Sequence, residues 1–256
     1  MDYSLGASGR SVDDMFASAR AIGLDGLELS VQSRDDGHPL WSDAGRAHVR
    51  SLCRDSGLQL SALATQVMMR GGFVGDPDTR AQARAHVRDL IAVATDVGVG
   101  LILVPFFRGG TIRDDTGARQ VVEDLRAVVD IAAQANVVLA VETGLPAERW
   151  ARLVDDVGST WCRAYFDLGN AVTNGYDLAD DARTLGSRIA GVHVKDSGET
   201  KPVQLGEGRV PLDTSAAVLR EIGYDGWYTL ETPPGDDPDQ NARVNLATMR
   251  RHFQIA

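Results

Sequence analysis

The stretch Ala21-Ile-Gly-Leu-Asp-Gly-Leu-Glu28 contains the unit from which the fold can be predicted. An amphipathic segment precedes it, Gly23 can take the left-handed conformation that ends a helix, and an apolar run follows within a few residues. The same order returns at Glu221-Ile-Gly-Tyr-Asp-Gly-Trp-Tyr228 and, in shorter form, at Asp96-Val-Gly-Val-Gly100. A helix that ends on glycine and leads directly into a strand is therefore a repeated element of this chain.

This element belongs to an alternation of strands and helices that runs through the whole sequence. The predicted strands are Tyr3–Gly6, Gly26–Ser30, Gln59–Leu63, Gly100–Pro105, Val137–Glu142, Ala164–Asp167, Ile189–Val194 and Trp227–Glu231. The predicted helices include Val12–Ile22, Ala44–Ser56, Asp78–Val97, Gly117–Ala135, Leu212–Ile222 and Asp239–His252. Strands that alternate with helices form a parallel sheet, and eight such units favour closure into a barrel over an open sheet. We therefore predict an α/β chain with one (β/α)₈ TIM-barrel domain over residues 1–256.

Composition and charge exclude several classes of protein. The longest apolar run, Leu101–Phe107, is too short for a membrane span, and the N-terminal residues lack the pattern of a secretory signal. Cys53 and Cys162 stand far apart, which favours free thiols in a reducing cytoplasm. A formal net charge of −10 argues against binding to a nucleic-acid backbone, but it leaves room for a small substrate. We expect a cytoplasmic protein with no membrane or nucleic-acid partner.

Four residues with metal-binding side chains stand at the ends of four successive predicted strands. They are Glu142, Asp167, His193 and Glu231. The active site of a (β/α)₈ barrel lies at the carboxyl ends of its strands, so these side chains should meet. Three carboxylates and one imidazole suit one divalent ion, Mn²⁺ or Mg²⁺ first, with Co²⁺ or Zn²⁺ as further options. The alternative is a buried polar network that holds no metal.

Several motifs of the chain resemble one known superfamily. They are Val-Glu142-Thr, Phe-Asp167-Leu-Gly-Asn170, Val-His193-Val-Lys195-Asp196, Leu-Gly206-Glu-Gly208-Arg-Val-Pro-Leu and Leu-Glu231-Thr-Pro, with Gly23-Leu-Asp-Gly-Leu-Glu28 in the second strand. Over nearly the whole chain the sequence resembles the sugar phosphate isomerase/epimerase superfamily, which has xylose-isomerase-like barrels and includes ketose 3-epimerases. The resemblance implies that Glu142, Asp167, His193 and Glu231 bind the metal and that the two glutamates form the acid–base pair.

The chemistry of such a pair follows from the weak acidity of a carbon next to a carbonyl group. A metal that coordinates the carbonyl and the neighbouring hydroxyl oxygen stabilises the enediolate that forms when the proton leaves. If Glu142 and Glu231 lie on opposite faces of the substrate, one can remove the proton and the other can return one, which inverts the carbon centre. If one group carries the proton to the adjacent carbon, an aldose and a ketose interconvert. We expect a metal-dependent isomerase or epimerase of a ketose or ketose phosphate.

Four further residues are candidate substrate contacts. Glu148 matches a substrate-binding glutamate of the free-ketose 3-epimerases, although a helix-surface position explains it equally well. Those enzymes have histidine where this chain has Asn170 and arginine where it has Glu199, so the sequence is more similar to pentulose-phosphate 3-epimerases. Lys195 either contacts the substrate or only pairs with its neighbour Asp196. The fourth, Arg108, precedes Gly109 and Gly110, and this loop either binds an anion or is an ordinary turn.

The sequence is also compatible with other functions. A lyase or dehydratase of the same superfamily, acting on an inosose or a keto-glycoside, would use the same proton abstraction and then expel a leaving group. Abasic-site endonucleases share the barrel, but they use several zinc ions and more histidines than the one predicted here at a strand end. A non-catalytic sugar-binding subunit would not need the four-residue set. The sequence allows a homo-oligomer or a hetero-subunit and does not decide between them.

Overall fold

The computed structural model describes residues 9–254, and its strands form a parallel sheet with a hairpin added. The strands of the sheet are β1 (Gly26–Val31), β2 (Gln59–Thr65), β3 (Leu101–Phe106), β4 (Val138–Thr143), β5 (Cys162–Asp167), β6 (Ile189–Val194) and β9 (Tyr228–Leu230), in the order β1-β2-β3-β4-β5-β6-β9. β7 (Asp196–Ser197) and β8 (Pro202–Val203) pair antiparallel as the hairpin. The predicted strand Tyr3–Gly6 lies outside the described residues.

Helices connect consecutive strands in the pattern that the sequence predicts. They are α1 (Val12–Ile22), α2 (Asp43–Ser56), α3 (Pro77–Val97), α4 (Asp115–Gln134), α5 (Ala147–Val157), α6 (Leu168–Thr173), α7 (Leu178–Leu185), α8 (Leu212–Glu221) and α9 (Pro238–Phe253). Gly23 ends α1 with φ +88° and Gly98 ends α3 with φ +76°, so both glycines take the predicted left-handed conformation. Within residues 9–254, none of these helices has the length and hydropathy of a membrane span.

Contacts group the described residues into two units, and the first contains the chain up to Glu28, Leu52–Ser61 and the chain from Phe166 onward. In this unit α9 packs against α1 and α8. β6 and β9 pair in parallel, with His193 opposite Thr229. The backbone N–H of Glu231 donates to the carbonyl of Val194 at 3.0 Å, so Glu231 continues the pairing just past the end of β9. His193 and Glu231 therefore stand at the same edge of the sheet.

The second unit contains Leu29–Ser51 and Ala62–Tyr165. All six residues of β3 are buried, and β3 pairs with β4 along its whole length, with Pro105 opposite Glu142. Helix α4 packs against α3 and α5. Its buried Asp124 forms ion pairs with Arg80 and Arg84 of α3, so this charged group is compensated inside the helix layer. The prediction of one domain over residues 1–256 stays a prediction.

The elements that the sequence does not predict lie mainly between β5 and β9. Helices α6 and α7 and the hairpin of β7 and β8 are short, and none of them is long enough for a periodic apolar pattern. Elsewhere the predicted bounds differ from the observed ones by at most two residues. The largest differences are in β2, which extends to Thr65, in β5, which begins at Cys162, and in α4, which begins at Asp115.

Candidate metal centre

Asp167 is fixed by its own helix and exposes one carboxylate oxygen to the centre. It ends β5 and is the N-cap residue of α6, where its Oδ1 accepts a hydrogen bond from the backbone N–H of Asn170 at 2.8 Å. The other oxygen, Oδ2, lies 2.7 Å from the ammonium nitrogen of Lys195. The side chain is almost fully buried. One residue thus begins a helix and presents a charged oxygen at the end of a strand.

His193 is oriented by a carboxylate that is not one of the four predicted ligands. Its Nε2 lies 3.2 Å from Oε1 of Glu28, and both residues are only 3% exposed. If Nε2 carries the proton and donates to Glu28, Nδ1 keeps its lone pair. Nδ1 faces the other acids, at 3.4 Å from Oε2 of Glu231 and 3.8 Å from Oδ2 of Asp167. Glu28 therefore directs the coordinating nitrogen of His193 towards the centre.

One signal in the sequence could have identified Glu28. It stands between Leu27 and Leu29 in β1, a strand in which five of six residues are buried. A carboxylate on such a strand needs a partner, because burying an uncompensated charge is costly. The sequence alone does not reveal that this partner is His193.

Lys195 pairs with the acids of the centre, and its stem lies against the start of α6. Its Nζ lies 2.7 Å from Oδ2 of Asp167 and 2.9 Å from Oε2 of Glu231. A Cβ atom added to Gly169 would lie 2.4 Å from Cγ of Lys195, so glycine makes room for the lysine stem. Burial alone would raise the pKa of Asp167, but the charge of Lys195 and the imidazole of His193 outweigh it and hold that pKa below its usual range.

Asp196, the other candidate partner of Lys195, has a different role. Its carboxylate is fully buried and accepts four backbone N–H groups. Oδ1 accepts from Ser197 at 2.8 Å and from Val210 at 3.0 Å, and Oδ2 accepts from Gly206 and Gly208 at 2.9 Å each. Asp196 therefore holds together the loop that follows β6 and does not serve as the counter-ion that the sequence motif suggested.

The four predicted ligands come together. One donor atom each from Glu142, Asp167, His193 and Glu231 lies within 4.8 Å of the other three, and all but Glu231 are buried. The donor set consists of three carboxylates and one imidazole, and Lys195 is paired with two of the carboxylates. Carboxylate oxygens and an imidazole nitrogen are donors that divalent cations accept, so the cluster can hold one metal ion.

The remaining candidate substrate residues lie on three different elements. Glu148 is exposed in the first turn of α5. Asn170 is half-buried in α6, and its backbone N–H is bonded to Asp167. Arg108 is exposed after β3, where it has φ +53°. Their contact with a substrate stays a prediction.

Comparison with known proteins identifies the family. The family model of the xylose isomerase-like TIM barrel matches residues 16–252. The chain therefore belongs to the xylose isomerase-like TIM-barrel family, which confirms the predicted fold class. The regular alternation of strands and helices described above is the pattern of this fold.

Similar proteins include two sugar-phosphate epimerases. The chain is 33% identical over 244 residues to 2-epi-5-epi-valiolone 7-phosphate 2-epimerase of Actinoplanes sp., which covers 91% of this chain and 87% of that protein. It is 28% identical over 225 residues to the L-ribulose-5-phosphate 3-epimerase UlaE of Salmonella paratyphi C, with 83% and 79% covered. Among solved structures, the IOLI protein, crystallised with a bound zinc atom, has a TM-score of 0.84 at 15% identity and covers 100% of this chain and 99% of its own.

Proposed function

We propose that this protein is a divalent-metal-dependent isomerase or epimerase that acts on a ketose or ketose phosphate through an enediolate. The observation that carries the proposal is the convergence of Glu142, Asp167, His193 and Glu231 around one point. The similar proteins are epimerases by name, which favours the same class of reaction here. Their names also state that their substrates are phosphorylated.

Each residue of the centre has a distinct task in this proposal. Glu142, Asp167, His193 and Glu231 would hold the ion, which supplies Lewis-acid stabilisation of the negative charge that develops on the substrate oxygens. Glu231 and Glu142 act as the acid–base pair, one removing the proton from the carbon next to the carbonyl and the other delivering a proton. Lys195, only 2.9 Å from Glu231, stabilises the charged form of that carboxylate and offers a hydrogen-bond donor to a substrate oxygen.

The metal site is tested by removing a ligand. We expect Asp167→Asn to weaken Mn²⁺ binding by at least about tenfold, since a charged ligand becomes neutral. Calorimetric titration of the metal-free protein measures this without a substrate. Asp225→Asn is the matched control, because Asp225 is exposed in the same contact unit. Equal affinity of both variants for Mn²⁺ would contradict the proposed ligand set.

The acid–base pair is tested with Glu142→Gln and Glu231→Gln in D₂O. A panel of ketoses and ketose phosphates is incubated with each variant, and NMR follows deuterium uptake at the carbon next to the carbonyl. In an epimerase, each variant should still exchange the proton of one epimer and not of the other, because one base remains. The exposed Glu207→Gln, also in the first contact unit, should behave as the wild type.

Other results would separate the alternatives. Complete loss of exchange in one glutamate variant alone indicates an isomerase with a single base. Equal and complete loss with both epimers in both variants contradicts the two-base mechanism. Loss of mass from the product indicates a lyase or dehydratase. Failure of the wild type to exchange any carbon-bound proton with any sugar of the panel would contradict the proposed function itself.

The proposal also covers the metal ion, the cellular location, the domain organisation and the partners of the protein. Three oxygen ligands against one nitrogen favour Mn²⁺ or Mg²⁺, and Co²⁺ and Zn²⁺ also accept this set. Cys53 and Cys162 are free thiols, which supports a cytoplasmic location. We further propose a single catalytic domain, with a small carbohydrate as its partner rather than a nucleic acid or a membrane. Assembly into a homo-oligomer or with another subunit is tested by light scattering.

A further inference from the structure

Two loops at the carboxyl ends of β2 and β3 are packed backbone to backbone. β2 and β3 pair in parallel, and a short 3₁₀ helix follows each of them, Val67–Arg70 after β2 and Arg108–Gly110 after β3. A Cβ atom at Gly110 would lie only 2.1 Å from the carbonyl oxygen of Met68. The glycine is therefore required by the close approach of the two loops, which makes them one structural unit.

Each loop contains an arginine, and the backbones of the two loops approach each other near these residues. Arg70 and Arg108 are both exposed. A Cβ atom at Gly109, the residue after Arg108, would lie 3.5 Å from the carbonyl carbon of Arg70. Among residues 9–254 neither guanidinium group has a carboxylate partner, whereas Arg80 of α3 is paired with Asp124. Two exposed arginines on loops that contact each other thus have no carboxylate partner among the described residues.

The backbone of Arg108 is in a conformation that suits glycine better than arginine. Its φ angle is +53°, in the left-handed region, where an L side chain costs roughly 1 kcal/mol or more. Glycines follow at the next two positions, so the loop already contains residues that relieve such strain. Strained backbone of this kind is concentrated at ligand-binding sites, which points to a task for the Arg108 side chain.

The position of the loop pair relates it to the proposed catalytic site. β3 pairs with β4, and Pro105 lies opposite Glu142. Arg108 follows two residues after the end of β3, at the same edge of the sheet as Glu142. We propose that Arg70 and Arg108 bind the phosphate group of a phosphorylated ketose. Guanidinium groups bind phosphate with paired, charge-assisted hydrogen bonds, and such a site would select a ketose phosphate over the free sugar. This inference rests on the proposed function for the identity of the sugar, but not for the binding of phosphate.

Binding of inorganic phosphate tests the site without a substrate. We expect Arg70→Gln and Arg108→Gly each to weaken phosphate binding by at least about tenfold in calorimetric titrations of the protein as purified. Arg88→Gln is the matched charge control, because Arg88 is an exposed arginine within α3 of the same contact unit. Affinities within twofold of the wild type in both loop variants would overturn the proposal. So would an equal loss in Arg88→Gln, since the effect would then reflect net charge alone.

Thermal unfolding distinguishes a ligand site from a structural role of Arg108. Because glycine relieves the positive φ angle, Arg108→Gly should keep or raise the Tm while phosphate affinity falls. Asn136→Gly is the matched control for the backbone, since Asn136 has φ +55° in another loop. If Arg108→Gly lowers the Tm and Arg70→Gln leaves phosphate affinity unchanged, Arg108 supports the loop and the proposal is wrong.

Kinetics connect the site to the substrate. In the loop variants KM should rise at least about tenfold for a ketose phosphate and stay unchanged for the corresponding free ketose, while kcat changes little. Equal changes in KM for both sugars would overturn the selection of a phosphate ester. A different result would contradict the proposed function. In that case the wild type exchanges no carbon-bound proton with any sugar of the panel, whatever its affinity for inorganic phosphate.

Discussion

The hydrogen bond between Glu28 and His193 determines what the imidazole can do. With Nε2 held at 3.2 Å from the Glu28 carboxylate, Nδ1 is directed to Asp167 and Glu231. A carboxylate that accepts from a ligating histidine fixes the tautomer and raises the basicity of the coordinating nitrogen. Glu28 thus belongs to the candidate centre although it is not one of the four converging ligands.

Replacing Glu28 tests this role. We expect Glu28→Gln to lower Mn²⁺ affinity about tenfold, because the amide still accepts from Nε2 but carries no charge. Calorimetric titration of the metal-free protein measures the loss. Asp25→Asn removes an exposed acid three residues earlier and should bind Mn²⁺ as the wild type does. An unchanged affinity in Glu28→Gln would mean that the contact with His193 has no effect on the metal.

At the scale of elements, the loop after β6 depends on a single carboxylate. Asp196 accepts four backbone N–H groups that are distributed between Ser197 and Val210. A Cβ atom at Gly208 would lie 2.2 Å from Oδ1 of Asp196, so the loop closes tightly around the side chain. The fully buried Asn245 of α9 holds the same loop from another side, through a 2.9 Å hydrogen bond from the Leu205 N–H to its Oδ1.

The variant Asp196→Asn should loosen this loop. Its amide group turns a donor towards two of the four N–H groups, and each buried donor that loses its acceptor costs about 1–3 kcal/mol. Urea unfolding should give a lower free energy of unfolding, and hydrogen–deuterium exchange should become faster between residues 197 and 210. Gly208→Ala should act in the same direction because the added methyl group collides with Asp196. Unchanged exchange in both variants would show that the loop is held by other contacts.

How far the sequence predicts these elements depends on how local their causes are. The bounds of the strands and longer helices are predicted to within two residues. The periodicity of apolar residues and the glycines that end helices, such as Gly23, depend only on residues nearby in the sequence. Helix α6 is not predicted, since it begins directly after its N-cap residue Asp167 with no intervening turn and is six residues long. The four candidate metal ligands can be selected from the sequence because parallel strands bring their carboxyl ends to one edge of the sheet.

Contacts between distant parts of the chain are the ones that the sequence does not reveal. Glu28 and His193 are 165 residues apart. Lys195 is next to Asp196 in the sequence, yet it pairs with Glu231, 36 residues away, because Asp196 is saturated by backbone donors. A short sequence motif gives the residue types of a site, but its ion pairs depend on which side chains the fold has already satisfied.

For the whole molecule, stability below neutral pH should depend on His86 in α3. The imidazole is partly buried, its Nε2 lies 2.8 Å from Oγ1 of Thr65, and its ring packs edge-on against Trp41 at 5.4 Å between centroids. Burial lowers the pKa of His86 to about 4, with Asp89 opposing and Arg34 reinforcing the shift. In the unfolded chain the pKa returns to about 6.5.

The sign of the pH effect follows from these two values. Between pH 6.5 and 4 the unfolded chain takes up a proton at residue 86 that the native protein does not, so the free energy of unfolding falls as the pH falls. One proton gives a slope of at most about 1.4 kcal/mol per pH unit, and the contribution is fully present above pH 6.5. In His86→Gln, which can still bond to Thr65, the slope between pH 6.5 and 4.5 should be smaller by up to this amount. Urea unfolding of both proteins at half-unit steps of pH measures the difference, and parallel curves would show that His86 does not cause the loss of stability in acid.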